Sequence, residues 1–102
     1  MRNEDTPSFY ISKPVKIEAV RTFPEEMGSK DCEEQLRSIV RWVMNNGGEV
    51  DSYDGTSFEI VTLEGKMRVN PGDWVIRGTV GEFYPCRDDV FTAKYAPMTV
   101  QR

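Results

Sequence analysis

The sequence predicts an α+β domain in which one amphipathic helix packs on a strongly curved, mainly antiparallel sheet of about six strands. Three observations support this fold class. Only one segment, between residues 31 and 45, repeats its apolar residues at helical spacing. After residue 48 the chain consists of short alternating segments separated by Gly, Pro, Asn and Asp, the pattern of β-hairpins. Its 102 residues suffice for one domain with one modest core.

The chain divides into an arm, a domain and a tail. We expect a loose N-terminal arm over residues 1–12, a single domain over residues 13–98 and a tail over residues 99–102. The polar, acidic start is unlike a signal peptide. No apolar run approaches the ~20 residues that a membrane span requires. The cytoplasm is therefore the expected location.

The first regular segment is predicted over residues 13–20. Val15, Ile17 and Ala19 alternate there with charged residues, which is the period of a half-buried strand. Residues 22–30 contain a proline and a glycine and are predicted to form a loop.

The helix is predicted from its caps and its apolar stripe. Asp31 is a suitable N-cap with Glu34 three residues later, and Glu33 and Arg37 have the spacing of a stabilising ion pair. Residues 45–48, Asn-Asn-Gly-Gly, favour the left-handed conformation that ends helices. The residues expected to pack on the sheet are Leu36, Ile39, Val40, Val43 and Met44.

The rest of the chain predicts strands and turns. Asp54-Gly55 is a two-residue hairpin signal, and residues 70–73, Asn-Pro-Gly-Asp, fit a type II turn. Asp88 is a suitable N-cap for a single helical turn over residues 88–91. The predicted strands cover residues 49–53, 58–63, 66–69, 74–77, 82–86 and 93–98.

Composition excludes several classes of function. Thirteen basic and 17 acidic residues give a net charge of −4, which disfavours non-specific nucleic-acid binding. The chain has no histidine, so it has neither a Ser-His-Asp nor a Cys-His nucleophile pair, and it lacks the commonest ligand of catalytic zinc. Cys32 and Cys86 are too few for a disulfide framework, and we expect Cys32 to be partly buried on a helix and Cys86 to be a small strand residue. We therefore predict a non-enzymatic protein without catalytic residues, metal or cofactor.

A recognition surface is predicted on the strands after residue 65. Alternation places Lys66 and Arg68 on one face of their strand. If Arg77 pairs across from either of them, two or three cations converge beside an aromatic ring, which suits a phosphate, a nucleotide or a carboxylate. The candidate ligand-binding residues are Arg68, Trp74, Arg77, Tyr84, Lys66 and Glu82.

Structural explanations compete with this one. Trp74 lies beside two apolar residues and is also a candidate for the core. Arg77 can instead pair with Glu82 across the turn in a surface ion pair. Asp88 and Asp89 could ligate a metal together with Glu82, although acidic pairs in loops commonly cap helices or face solvent.

Several short segments, spread over about half of the chain, carry a resemblance to known proteins. They are Lys13-Pro14-Val15, Glu18-Ala19, Leu63-Glu64-Gly65-Lys66-Met67-Arg68, Pro71-Gly72-Asp73-Trp74-Val75-Ile76-Arg77-Gly78, Gly81-Glu82-Phe83-Tyr84-Pro85-Cys86, Asp89, Phe91 and Tyr95. In these segments the sequence resembles a family of small accessory proteins, of uncharacterised function, from tailed bacteriophages and prophages. The resemblance implies no catalytic residue. It implies a phage protein acting in the host cytoplasm, where such proteins neutralise host defences by binding a host protein or a nucleotide signal.

Three hypotheses follow from the sequence. The first is a non-enzymatic phage protein that binds a host component, such as a nucleotide-type defence signal, and so acts against host defence. The second is a protein–protein interaction or structural module that forms a homo-oligomer through strand edges or an exposed aromatic patch. The third is a magnesium-dependent hydrolase that uses Glu82, Asp88 and Asp89.

Overall fold

The computed structural model describes residues 7–10, 14–23 and 29–98. Most of the predicted arm, the first residue of the first predicted strand, the Pro24–Gly28 part of the predicted loop and the predicted tail lie outside these residues. The strand predicted over residues 13–20 was wrong in its first half, because residues 14–17 form no strand and Val15 is 57% exposed; the strand begins only at Glu18. Neither helix of the described part has the length and apolar composition needed to cross a membrane.

The described residues form two helices and six strands, which confirms the α+β class. In chain order they are β1 (Glu18–Arg21), α1 (Ser29–Asn45), β2 (Val50–Asp51), β3 (Phe58–Thr62), β4 (Gly65–Val69), β5 (Trp74–Arg77), β6 (Phe83–Cys86) and α2 (Asp88–Lys94).

The strands form two antiparallel sheets of three instead of the predicted single curved sheet of about six strands. Sheet 1 has the order β1-β5-β6 and sheet 2 the order β2-β3-β4. The reason lies at β5, because β1 occupies one of its edges and β6 the other. The preceding strand β4 therefore cannot pair with β5, and the chain passes from one sheet to the other through the turn at residues 70–73.

Helix α1 covers both sheets with the predicted stripe, apart from its last member. Leu36, Ile39 and Val43 are buried and Val40 is partly buried, whereas Met44 is 57% exposed. The prediction for Met44 was wrong because, at about 100° per residue, this position lies at the margin of the stripe. The helix also begins two residues before the predicted cap Asp31, which lies in its first turn.

Other local predictions for α1 are confirmed. The Nη2 atom of Arg37 lies 2.6 Å from the Oε1 atom of Glu33. Gly47, with a φ of +90°, ends the helix in the left-handed conformation. Cys32 on α1 and Cys86 on β6 are both partly buried.

One hydrophobic core joins α1 to both sheets. Each of these three layers contributes fully or nearly fully buried side chains, and the β-branched and aromatic residues of the strands supply most of the volume. The residues of this core are Leu36, Ile39, Val43, Phe58, Ile60, Val69, Val75 and Phe83. Ile76 is also fully buried, but strand alternation places it on the opposite face of sheet 1, beneath α2.

The turns agree with the sequence in part. Asp73 N donates to Asn70 O at 2.9 Å and Gly72 has a φ of +90°, as a type II turn requires. Asp54 N donates to Ser57 O at 3.1 Å, so a turn forms here, but its two central residues are Gly55 and Thr56 instead of the predicted Asp54 and Gly55. Ser52, with a φ of +54°, forms a bulge that inserts one extra residue between β2 and this turn. The regular pairing of β2 therefore ends at Asp51, and β2 has two residues instead of the predicted five.

The free edges of sheet 1 are protected in two ways. The Gln35 side chain donates to Arg21 O at 2.7 Å and accepts from Phe23 N at 2.8 Å, so α1 satisfies backbone groups at the edge of β1. On β6, the hydrogen bond from Gly78 N to Glu82 O shows which residues of β6 turn their backbone groups towards β5. By the alternation of an antiparallel pair, the nitrogen of Pro85 points away from β5, towards the free edge of the sheet. Pro85 therefore removes a donor only from the exposed edge.

The strand predicted at residues 93–98 was wrong. Ala93 and Lys94 belong to α2, and residues 95–98 form no strand. Two acidic residues begin α2 and a lysine ends it, an arrangement that the helix dipole favours. The predicted N-cap Asp88 is the first helical residue, and Arg87 takes the cap position. A further strand beside β6 would meet the edge from which Pro85 cannot donate.

Candidate functional site

The two cations of β4 face away from the core, and each has an acidic partner. Lys66 Nζ lies 2.5 Å from Asp51 Oδ2, and this hydrogen bond raises the pKa of Lys66. Arg68 contacts the hydroxyl of Ser57 and lies 3.4 Å from Asp54 Oδ2. The Asp54 carboxylate accepts hydrogen bonds from backbone N–H groups of its own turn, which lower its pKa.

Arg77 belongs to the other sheet. It pairs with Glu18 and Phe83 and not with Arg68 or Lys66, so the predicted convergence of cations does not occur. Its Nη1 atom lies 3.1 Å from Glu18 Oε1, and its guanidinium carbon is 6.0 Å from the ring centroid of Phe83. The alternative pairing of Arg77 with Glu82 was also wrong. The strand register explains why neither predicted contact of Arg77 forms, because it places Glu18 directly opposite Arg77 on the neighbouring strand.

Trp74 holds α2 against sheet 1. Its ring stacks on Phe91 with centroids 3.8 Å apart and planes 8° apart, and its Nε1 donates to Asp88 Oδ1 at 2.9 Å. Arg21 Nη2 lies 3.5 Å from the other oxygen of Asp88. Strand alternation places Trp74 on the face opposite Arg77. The geometry therefore favours a packing role for Trp74.

Tyr84 continues the same aromatic face. It lies opposite Ile76 in the sheet and hydrogen-bonds to Tyr95, whose ring centroid is 5.0 Å from that of Phe91. Burial and this hydrogen bond, which stabilise the neutral phenol, raise the pKa of Tyr84 to about 12. Four aromatic side chains thus attach α2 to sheet 1.

The acidic residues do not form a metal site. Glu82 Oε1 accepts from Val80 N at 3.2 Å within the β5–β6 turn. Asp89 pairs with Arg87 at 2.5 Å, which lowers the pKa of Asp89, while Asp88 is bonded to Trp74 and Arg21. Over the described ranges, no three carboxylate or cysteine side chains lie close enough together to hold a metal ion.

A large concave surface of the described residues lies elsewhere, where the two sheets meet beyond the end of α1. Its volume is about 720 Å³, against about 170 Å³ for a cavity between α1 and the β2–β3 turn. We call it the sheet groove. The residues that line it are Gly47, Gly48, Glu49, Val61, Thr62, Leu63, Glu64, Met67, Gly81, Glu82, Phe83 and Tyr84.

The sheet groove combines exposed apolar surface with negative charge. Leu63, at the tip of the β3–β4 turn, is fully exposed, and Met67 is 37% exposed. Three exposed carboxylates line the groove, and none of its lining residues is Lys or Arg. The C-terminus of α1 also ends here with no basic residue in its last turn, so the helix dipole adds to the negative potential.

The sheet groove could not be predicted from the sequence, because its lining comes from four separate segments. Two of its lining residues, Glu82 and Tyr84, were predicted to bind a ligand, but as part of a different surface. One local signal was available. An apolar residue at the tip of a two-residue hairpin, as Leu63 is, has no sheet on which to pack and stays exposed.

Comparison of the chain with protein-family models, with curated proteins and with solved structures finds no match. The resemblance to phage and prophage proteins therefore stays a prediction.

Proposed function

We propose that this chain is a non-enzymatic binding protein that holds a segment of a partner protein in the sheet groove. The observation that carries the proposal is that exposed apolar side chains and three carboxylates, without a Lys or Arg, line the same large groove. Following the sequence resemblance, we propose further that the partner is a component of a phage-infected host cell. Such a protein would act against a host defence by occupying one of its proteins.

The apolar part of the groove supplies affinity. An exposed leucine on a turn has no structural role of its own, and its burial by a partner removes apolar surface from water. Met67 beside it is an adaptable contact residue, because its unbranched side chain can change conformation to fit different partners. The partner segment should therefore carry a large apolar anchor.

The charged part of the groove selects the partner. Glu49, Glu64 and Glu82 attract a cationic segment and repel an acidic one, and the end of α1 acts in the same direction. The partner chemistry that fits is an apolar anchor flanked by Lys or Arg.

The nucleotide form of the hypothesis has weaker support. Lys66, Arg68 and Arg77 each contact a carboxylate, so a phosphate would have to displace Asp51, Asp54 or Glu18. In the sheet groove, Glu49, Glu64 and Glu82 form no ion pair with a described Lys or Arg, although Lys66 lies close enough to Glu49 for their charges to interact. We therefore propose a protein partner and treat a nucleotide as the competing outcome.

The test uses two fluorescent peptides with the same central Phe-Leu pair, flanked by Lys in one and by Glu in the other. We expect only the lysine peptide to bind, and its affinity to fall as salt screens the carboxylates. Glu64→Lys should weaken binding about tenfold, whereas the matched reversal Glu34→Lys on exposed α1 surface should change it less than about twofold. Fluorescence polarisation measures both.

The apolar contact has its own pair of variants. Leu63→Ala should weaken binding without lowering the melting temperature, because the side chain is fully exposed. Val90→Ala, at a partly exposed valine of α2 outside the groove, should do neither. Equal binding of both peptides, or equal effects of Glu64→Lys and Glu34→Lys, contradicts the proposal. Calorimetric heat with a cyclic or ADP-ribose-type nucleotide that Arg77→Ala abolishes would favour the nucleotide form instead.

A further inference from the structure

Two aromatic side chains in the N-terminal part of the chain have no structural explanation within one copy. Phe9 is fully exposed and Tyr10 is 90% exposed, while every other aromatic ring of the described residues is at least partly covered. Adjacent, wholly exposed rings are rare on a soluble surface and indicate a contact with another molecule. We call residues 7–10 the aromatic arm.

Taking the sheet groove as a binding site, which rests on the proposed function, we propose that the aromatic arm of a second copy occupies it. The two copies exchange arms, and the resulting dimer keeps each groove closed until a partner segment displaces the arm. Self-association and partner binding are then mutually exclusive.

The chemistry of the arm matches that of the groove. Phe9 and Tyr10 supply the apolar anchor, and Lys13 and Lys16 follow within a few residues in the sequence. This is the same order of apolar anchor and cation that the three carboxylates and Leu63 favour. Residues 7–16 contain two lysines and no acidic residue. This segment is therefore attracted by the carboxylates of the groove and carries no negative charge that they would repel.

The point where the arm joins the domain lies close enough to the groove for two copies to exchange their arms reciprocally in a dimer. Lys16 and Ile17, which connect the arm to β1, line a neighbouring cavity together with Gly81. Gly81 also lines the sheet groove. A two-fold axis near Gly81 therefore brings the arm of each copy to the groove of the other, and the assembly closes as a dimer without forming a fibre.

Sedimentation velocity tests the dimer. We expect the full chain to sediment as a concentration-dependent dimer and two variants to be monomers. One is Phe9→Ala/Tyr10→Ala in the arm, and the other is Leu63→Asp in the groove. The control Met44→Asp, at an exposed apolar position on α1 outside the groove, should remain a dimer. All four substitutions in these three variants lie at exposed positions, so each variant should fold, and circular dichroism checks this.

A labelled peptide of residues 7–16 tests occupancy. It should bind the Phe9→Ala/Tyr10→Ala chain at least about tenfold more tightly than the Leu63→Asp chain. The lysine-flanked peptide of the previous section should bind the arm variant more tightly than the full chain at concentrations where the full chain is dimeric.

The two proposals fail in different ways. A monomeric full chain that binds the lysine-flanked peptide as tightly as the arm variant does overturns arm exchange and leaves the proposed function standing. An arm variant that remains dimeric overturns arm exchange as well. Failure of the arm variant to bind the lysine-flanked peptide overturns the proposed function, whatever the sedimentation result.

Discussion

At the scale of single residues, glycine at position 48 is fixed by a close approach of α1 to sheet 1. A Cβ atom built there would overlap Val43 Cγ1 and lie 2.9 Å from Phe83 Cδ2. Both neighbours belong to the core, so neither can move freely.

Gly48→Ala should therefore lower the free energy of unfolding by about 1–3 kcal/mol through overpacking. The control is Gly47→Ala, which meets no atom within 4 Å but has a φ of +90° and so should cost about 1 kcal/mol of backbone strain alone. Urea denaturation of both variants separates the two causes. A smaller loss for Gly48→Ala than for Gly47→Ala would contradict the packing explanation.

Tyr84 gives the stability of the protein a dependence on alkaline pH. Its pKa is raised from 10.0 to about 12, so at intermediate pH the folded chain keeps a proton that the unfolded chain has lost. The contribution is complete below about pH 10 and is lost as the pH rises towards about 12. Tyr84→Phe should flatten the decline of the unfolding free energy between these values. A decline equal to that of the unsubstituted chain would assign it to other groups.

At the scale of elements, α2 is attached by aromatic contacts and has no buried residue. Its contacts with sheet 1 are the Trp74–Phe91 stack, the hydrogen bond from Trp74 to Asp88, the Arg21–Asp88 ion pair, the tyrosine pair and its packing over Ile76, which lies outside the main core. Such a helix can leave the sheet while the core persists, because local opening needs only these few contacts to break.

Phe91→Ala should release α2 at a cost of about 1–2 kcal/mol, less than the ~3–5 kcal/mol of a core phenylalanine such as Phe83. In a Trp42→Phe background, where Trp74 is the only fluorophore of its kind, its emission should shift to the red as the indole becomes exposed to water. Val90→Ala, on the same helix and 41% exposed, should leave the emission unchanged. An unshifted emission in Phe91→Ala would show that other contacts hold α2.

At the scale of the whole molecule, the two sheets share one core through α1. They should therefore unfold together despite the absence of hydrogen bonds between their described strands. Amide hydrogen exchange under native conditions should give β3 and β5 the same opening free energy. A lower value for one sheet would show that it opens separately.

The features that the sequence predicted correctly are local ones. The left-handed glycines at positions 47, 55 and 72 and the Glu33–Arg37 pair depend on neighbours within a few residues. The predicted convergence of Arg77 with Lys66 and Arg68 was wrong because it depended on the strand partner of Arg77, and that partner carries Glu18, 59 residues away. The sheet groove likewise exists only after four separate segments have come together. Turn chemistry is readable from spacing, whereas the division of six strands between two sheets is not.

The pairing of β1 with β5 also has a consequence for synthesis on the ribosome. Glu18 leaves the ribosome 59 residues before Arg77, a delay of about 3–12 s at ordinary translation rates. During this time α1 and the β2-β3-β4 meander can form, but β1 remains an unpaired nascent strand. Chaperone binding or limited proteolysis of arrested nascent chains should therefore detect residues 18–21 until β5 has emerged. In this protein, the strand made first is completed only when nearly the whole domain has been translated.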